Sequence, residues 1–355
     1  MNIQTARDEY ALALRQGQKE YRELIMAGRR TSPAVLDEIL PENAGETVQE
    51  VGLVEIPASR IVGKDQSLLW VLAAILARGH ILLEDIPGVG KTTMALAFSK
   101  VLSLSYNRVQ FTPDVLPSDV TGFSIPDPAT GRMTYQPGAV LCNLFLADEL
   151  NRATSRTQSA LLEAMEEGQV TVDGVAHALP KPFIVIATQN PTGAAGPQLL
   201  PDSQMDRFTL RMSLGYPSPE DEVAMVLHRQ GHNPLTELSA LLTGDALLAL
   251  QEATANTYIG EAVVDYAVRL IDATRRSPDL QRGASPRATL SVVSLAKAVA
   301  QLRGRDYVTP GDIRESFLRA VPHRLALSPQ AEARGVDCSG ILQQILDQTA
   351  APRAR

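Results

Sequence analysis

The chain has 355 residues, 45% of them apolar and 21% charged, with a formal net charge of −7. That length buries a sizeable core in two or three domains, and the ordinary composition excludes a disordered or low-complexity protein. The acidic balance argues against a broad nucleic-acid footprint, which needs clustered Lys and Arg, and two cysteines, Cys142 and Cys338, are too few for a disulfide framework.

Residues 5–29 carry helix formers up to a glycine and predict an amphipathic helix. Residues 30–52 mix Pro, Gly and acids and read as a linker with one short helix. The N-terminus lacks a secretory apolar core and the longest apolar run, 68–77, is too short to cross a bilayer, so the protein reads as cytoplasmic. Over 53–216, short apolar runs alternate with helical stretches, the pattern of a parallel sheet with helices on both faces. Strands are predicted at 80–85, 108–112, 143–148, 183–188 and 208–214, and helices at 67–78, 91–102 and 156–167. Two stretches, 123–140 and 169–182, each predict an inserted hairpin with a glycine-containing turn. Beyond Pro217 the strand signals stop, and a run of capped helices predicts an all-helical domain over 217–327. Residues 328–355 predict one more helix, CSGILQQILDQ, and a frayed end.

The stretch LEDIPGVGKTT, residues 83–93, leaves a strand and opens a helix with the spacing of a phosphate-binding loop, except that Asp85 occupies the slot of the first glycine. Gly88 and Gly90 supply small residues where backbone meets phosphate, Lys91 is placed to reach the terminal phosphates, and Thr92 to ligate Mg²⁺. Pro87, Val89 and Thr93 complete the candidate loop. The first glycine ordinarily serves the turn out of the strand, and Asp, which tolerates unusual backbone angles, is expected to fill that role.

About sixty residues later, NLFLADELNR delivers two acids from the end of a buried strand. Asp148 is placed to hold Mg²⁺ and its water shell, and Glu149 to polarise an attacking water. FIVIATQNP ends in Asn190, placed to hold that water near the γ-phosphate, although the same residues suit a plain Asn-Pro turn. In LLPDSQMDRFTL, Arg207 follows a short helix, where it reads either as a charge donated across a subunit boundary or as a solvated arginine. In GASPRATL, Arg287 follows a capping Ser285 and Pro286, where it could contact phosphate and couple helix position to nucleotide.

With LLEDIPGVGKTT, QFTPDVLPSDVTG, LADELNRA, LLEAMEEGQVTVDG, IATQNP, LLPDSQMDRF and GASPRA, the chain resembles the MoxR family of AAA+ ATPases over about residues 57–325. The fold so implied is α/β, an AAA+ P-loop NTPase core with a parallel sheet and inserted hairpins, followed by an all-helical lid. The resemblance implies Walker A at Gly88, Gly90, Lys91 and Thr92, Walker B at Asp148 and Glu149, sensor 1 at Asn190, an arginine finger at Arg207 and sensor 2 at Arg287. It implies that Ile61, Val62 and Gly63 line an adenine pocket, and that the hairpins are the helix-2 insert and the pre-sensor 1 hairpin. It further implies ATP and Mg²⁺, a hexameric ring, and a client with a von Willebrand factor A domain that the ring remodels as a chaperone would; no membrane span and no nucleic-acid partner are expected from the apolar runs and the acidic charge. The alternatives are a motor subunit of a chelatase-like complex, a nucleotide-gated scaffold with slow turnover, and a ring helicase. Intact acids at 148 and 149 argue against the scaffold, and the acidic charge balance against the helicase.

Overall fold

The structure, a computed structural model, describes residues 64–86, 88–190, 200–228, 235 and 238–352. The helix and linker expected over 5–52 lie outside these residues, as do Ile61, Val62, Gly63 and Pro87. Helix α1 (Asp65–Leu76) is apolar on nearly every side and buries Leu68 and residues 70–76, as a helix sandwiched between layers must. Then follow β1 (Ile81–Glu84), α2 (Lys91–Val101), β2 (Tyr106–Gln110), the short α3 (Pro117–Thr121), β3 (Gly122–Pro126), β4 (Met133–Pro137), β5 (Leu144–Asp148), α4 (Ser155–Glu167), β6 (Gln169–Val172), β7 (Val175–Ala178), β8 (Ile184–Gln189), α5 (Asp202–Met205) and β9 (Leu210–Met212).

Five of these strands form one sheet in the order β2-β5-β8-β1-β9, and every pairing in it is parallel. Every residue of β5 and β8 is buried, which is why both read as nearly unbroken apolar runs rather than alternating ones. At the edge, β2 begins two residues earlier than apolarity suggests, because Tyr106 and Asn107 join the ladder through backbone pairing with Leu144 and Phe145. The last strand is shorter than expected, since the N–H of Phe208 is taken up in a turn on the carbonyl of Met205. Both inserted hairpins form, β3 with β4 and β6 with β7. They touch through one aromatic pair, Tyr135 stacked on His177 with ring centroids 3.7 Å apart.

The remaining chain contains α6 (Pro219–His228), α7 (Gly244–Ala255), α8 (Glu261–Arg276), β10 (Leu280–Arg282), α9 (Pro286–Leu302), α10 (Pro310–Ala320), β11 (Ala326–Leu327), α11 (Pro329–Ala333) and α12 (Cys338–Gln348). Side chains of Thr243, Ser285, Thr309, Ser328 and Asp337 accept the first free N–H groups of five of these helices. The all-helical expectation needs one correction: β10 and β11 pair antiparallel. They are too short to leave a period in the sequence. This lid packs on α1, where Gln251 donates to the carbonyl of Ile75 at 2.7 Å.

His80 stitches the sheet to α4 at the N-terminal ends of the strands. Its Nδ1 accepts from the N–H of Val185 at 3.0 Å, so Nε2 carries the proton and donates to the carbonyl of Met165 at 3.2 Å. Burial pushes its pKa down from 6.5 to about 4. The unfolded chain therefore takes up this proton first, and the stabilisation is complete above about pH 6.5 and lost as pH falls toward 4. We expect the urea midpoint to fall across that window, with His80 contributing roughly 1 kcal/mol per pH unit. His80→Gln should flatten the profile, and an unchanged slope in that variant would assign the titration to other groups.

Candidate functional site

Because the five strands run one way, β1, β5 and β8 all end at the same edge of the sheet, where loops gather ligands in open α/β folds. The loop from β1 to α2 turns on Gly88 (φ 88°) and Gly90 (φ 98°), both in the left-handed region that glycine adopts freely. Beyond its chain neighbours, a Cβ built on either would meet no atom of the described residues within 4 Å, so these residues leave the space over the loop open. Gly90 is also the N-cap of α2, and no side chain caps that helix. Its first N–H groups, those of Lys91, Thr92 and Thr93, face the loop as an anion site requires. Val89 lies half-buried beside them. The ammonium of Lys91 donates to the carbonyls of Asp85 (2.8 Å) and Ile86 (3.1 Å). Burial pushes its pKa below the usual lysine value, against the pull of the carboxylates of Asp85, Asp148 and Glu149, which converge on it.

Asp148 ends β5, and Glu149 follows in a left-handed conformation (φ 56°, ψ 45°), a strained backbone for a residue with a side chain. One hydroxyl orients both acids: Thr188 Oγ1 donates to Asp148 Oδ1 at 2.6 Å and accepts the N–H of Glu149 at 2.8 Å. The outer oxygen of Asp148 pairs with Arg108 at 2.7 Å, and Glu149 pairs with Arg152 at 2.8 Å. Asn190 sits directly after β8, and its carbonyl accepts from Asn151 at 3.5 Å. Among the described residues the buried Asn151 Oδ1 and Gln189 Oε1 have no hydrogen-bond partner, two orphaned polar atoms beside this space. The Thr92 hydroxyl and the Asp148 carboxylate are hard oxygen donors of the kind Mg²⁺ takes, so the residues fit that ion. Sequence reasoning passes over Thr188, Arg108 and Arg152. Thr188 sits inside an apolar run, and no periodicity reports that it faces Asp148.

Asp85 departs from expectation. Its backbone is not in the left-handed region, so the tolerance of Asp for unusual angles does not explain it. Its buried carboxylate instead accepts from the backbone N–H groups of Leu214 (2.5 Å) and Gly215 (3.0 Å), from Ser213 Oγ (3.1 Å) and from its neighbour Ile86 (3.2 Å).

The two arginines lie at the other edge. Helix α4 carries the chain about 20 Å back from the acids, and Glu166 in its last turn pairs with both Arg207, at 3.1 Å, and Arg287. Arg207 precedes β9 and Thr209 bonds to His80 ahead of β1, so the cluster sits at the N-terminal ends of the strands. Arg287 occupies the first turn of α9 behind the capping Ser285. The segment 206–208 is gripped from the lid. Ser285 Oγ donates to the Asp206 carboxylate (2.8 and 3.1 Å), while His323 Nε2 and Arg324 Nη2 bond to the carbonyl of Phe208 (2.9 and 2.7 Å). A cleft of about 560 Å³ opens beside Arg207, lined by Ser159, Glu163, Glu166 and Gln204.

The model of the ATPase family associated with various cellular activities (AAA) matches residues 80–210, and that of the AAA lid domain matches residues 272–345. The chain is 41% identical over 311 residues to an uncharacterized Bacillus subtilis protein, YeaC, covering 88% of this chain and 95% of the relative. It is 41% identical over 302 residues to Chaperone MoxR1 of Mycobacterium tuberculosis, covering 82% and 80% respectively. A solved structure of a candidate ATPase from Cytophaga hutchinsonii superposes with a TM-score of 0.79 at 32% identity, over 98% of this chain and 99% of the other.

Thr188→Val keeps the size of the side chain and removes the partner shared by Asp148 and Glu149. We expect ATP turnover to fall by about tenfold or more with KM nearly unchanged. Steady-state hydrolysis measures it, and a kcat equal to that of the parent would remove Thr188 from the site.

Proposed function

Because the chain belongs to the MoxR family of AAA+ ATPases, we propose that it hydrolyses ATP between neighbouring subunits of a ring, each subunit supplying one half of the site. The observation that carries this reading is the division of charge across the sheet. Lys91, Asp148 and Glu149 converge at one edge, and Arg207 and Arg287 share Glu166 at the other. Two arginines a helix length away from the acids of their own subunit are placed for the site of the next one. Arg287 shares its counter-ion with Arg207, so both act in trans. The hexameric ring is proposed from the family resemblance, and a head-to-tail contact of this kind closes into one.

In this scheme Lys91 exchanges the carbonyls of Asp85 and Ile86 for the terminal phosphates, and the open α2 terminus receives the phosphate oxygens. Thr92 and Asp148 hold Mg²⁺, which neutralises charge on the phosphates when bound. The Glu149 carboxylate takes the proton of the attacking water, Asn190 orients that water, and the neighbour's Arg207 and Arg287 balance the charge that develops on the γ-phosphoryl group. Ile61, Val62 and Gly63 contact the adenine, and Pro87, Gly88, Val89, Gly90 and Thr93 complete the cradle. Turnover drives a chaperone-like remodelling of a client protein, in keeping with the name of the Mycobacterium tuberculosis relative. The proposed client carries a von Willebrand factor A domain. Among the described residues no helix is long and apolar enough to cross a membrane, which suits the cytoplasmic setting proposed here.

Glu149→Gln should keep ATP binding and lose turnover by about a hundredfold or more; hydrolysis at the parent rate removes Glu149 as the base. Lys91→Ala and Arg207→Ala should each be inactive alone. Mixed in equal amounts with proven subunit exchange, they should recover activity at the roughly one quarter of interfaces that combine an intact lysine with an intact arginine. Arg287→Ala should complement Lys91→Ala in the same way, and failure of either mixture returns that arginine to its own subunit.

A further inference from the structure

The loop that carries Lys91 and the strap that leads into the lid meet at one residue. After β9 the chain leaves the sheet through residues 213–216 at the phosphate edge and enters α6. These residues are held on both sides of their peptide groups. Asp85 accepts from Ser213 Oγ and from the N–H groups of Leu214 and Gly215. The buried ammonium of Lys64 donates to the carbonyls of Leu214 (2.6 Å), Gly215 (3.0 Å) and Tyr216 (3.0 Å). A strap without regular secondary structure thus has its backbone groups satisfied by one carboxylate and one ammonium. Asp85 faces both ways, since its own carbonyl also receives Lys91. The preceding residue repeats the link on the outer side, where Glu84 pairs with Arg211 of β9 at 2.9 Å.

We propose that Asp85 is a positioning residue that couples the phosphate loop to the lid: its carboxylate clamps the strap at Leu214 and Gly215 while its backbone moves with Lys91. The inference rests on the ATPase reading and adds a function to the position where the common loop has glycine. A glycine there would leave the cradle of Gly88 and Gly90 intact and would have no group to offer the strap. When Lys91 moves to phosphate, the loop becomes fixed by the ligand and the clamp tightens with it, because a ligand that binds one arrangement stabilises every contact belonging to that arrangement. The strap continues into the lid, and the lid grips residues 206–208 through Ser285, His323 and Arg324. The path therefore runs from the phosphates bound by one subunit to the arginine that the same subunit offers its neighbour.

Amide hydrogen exchange reads the clamp directly, since the N–H groups of Leu214 and Gly215 are the ones that bond to Asp85. In the parent protein, ATP with Mg²⁺ should slow exchange at these amides by about fivefold or more. Asp85→Gly, which restores the common loop residue, should bind ATP within about threefold of the parent and lose that slowing. Lys64→Met, which removes the opposite jaw, should likewise weaken the response, and decides the matter if Asp85→Gly does not fold. Asp85→Asn, with one acceptor oxygen left, should retain part of it. An ATP response of parental size in Asp85→Gly, or in Lys64→Met where that variant decides, overturns the proposal, as does a parent that binds ATP without any change at Leu214 and Gly215. A parent that binds no ATP overturns the ATPase reading instead, and a Lys91→Ala control separates loss of phosphate binding from loss of coupling.

Discussion

A parallel sheet has two unlike edges, and the charged residues of the proposed site are divided between them. Every strand of the β2-β5-β8-β1-β9 sheet ends where the loop after β1, the acids after β5 and Asn190 after β8 gather. Every strand begins where His80, Glu166, Arg207 and Arg287 gather. The direction is set by hydrogen-bond register and buried apolar strands, with no contribution from the site residues themselves. Given that direction, both arginines meet Glu166 at the edge opposite the one where Asp148 and Glu149 of the same subunit end their strand.

The acids themselves are held by charge and by one hydroxyl. Asp148 and Glu149 project from the end of a strand, and without partners two adjacent carboxylates repel each other. Thr188 fixes their orientation from the neighbouring strand, and Arg108 and Arg152 occupy their outer oxygens. The arginines are half exposed, so their pairing is screened and readily exchanged. Thr188 is buried and its bonds are short, which makes it the fixed part of the arrangement and the arginines the replaceable part.

Period and spacing made the sheet, both hairpins and the capped helices legible in the sequence, because each leaves its mark within about ten consecutive residues. The phosphate loop and the strand-end acids were legible for the same reason. What escaped were contacts between distant segments. Asp85 meets partners 128 to 130 positions further on, and its role changes from turn residue to clamp once they are seen. Glu166 is one of three acids, with Glu163 and Glu167, on the last turns of an amphipathic helix, and helical periodicity treats all three as solvated. Only the packing of Arg207 and Arg287 against that turn singles one out. The short β10 and β11 pair escaped because strands of three and two residues carry no period.

These distant contacts share a geometry that bears on how an assembly could act in sequence. The lid is attached at the phosphate edge through the strap at 213–216 and at the opposite edge through residues 206–208. A body tied at both edges cannot tilt at one without moving the other, because its helices pack into one continuous apolar core with α1 and the sheet. A change at the phosphate loop is then felt at Arg207 of the same subunit, and that arginine belongs, on the proposed reading, to the site of the next. On that reading the coupling in a ring is reciprocal: the nucleotide in one subunit biases the arginine its neighbour receives, and the neighbour's nucleotide biases the first subunit by the same free energy through the same anchors. Coupling of this kind needs no second conformation of the sheet. It needs a stiff lid, two anchors on opposite edges, and a carboxylate where most phosphate loops have none.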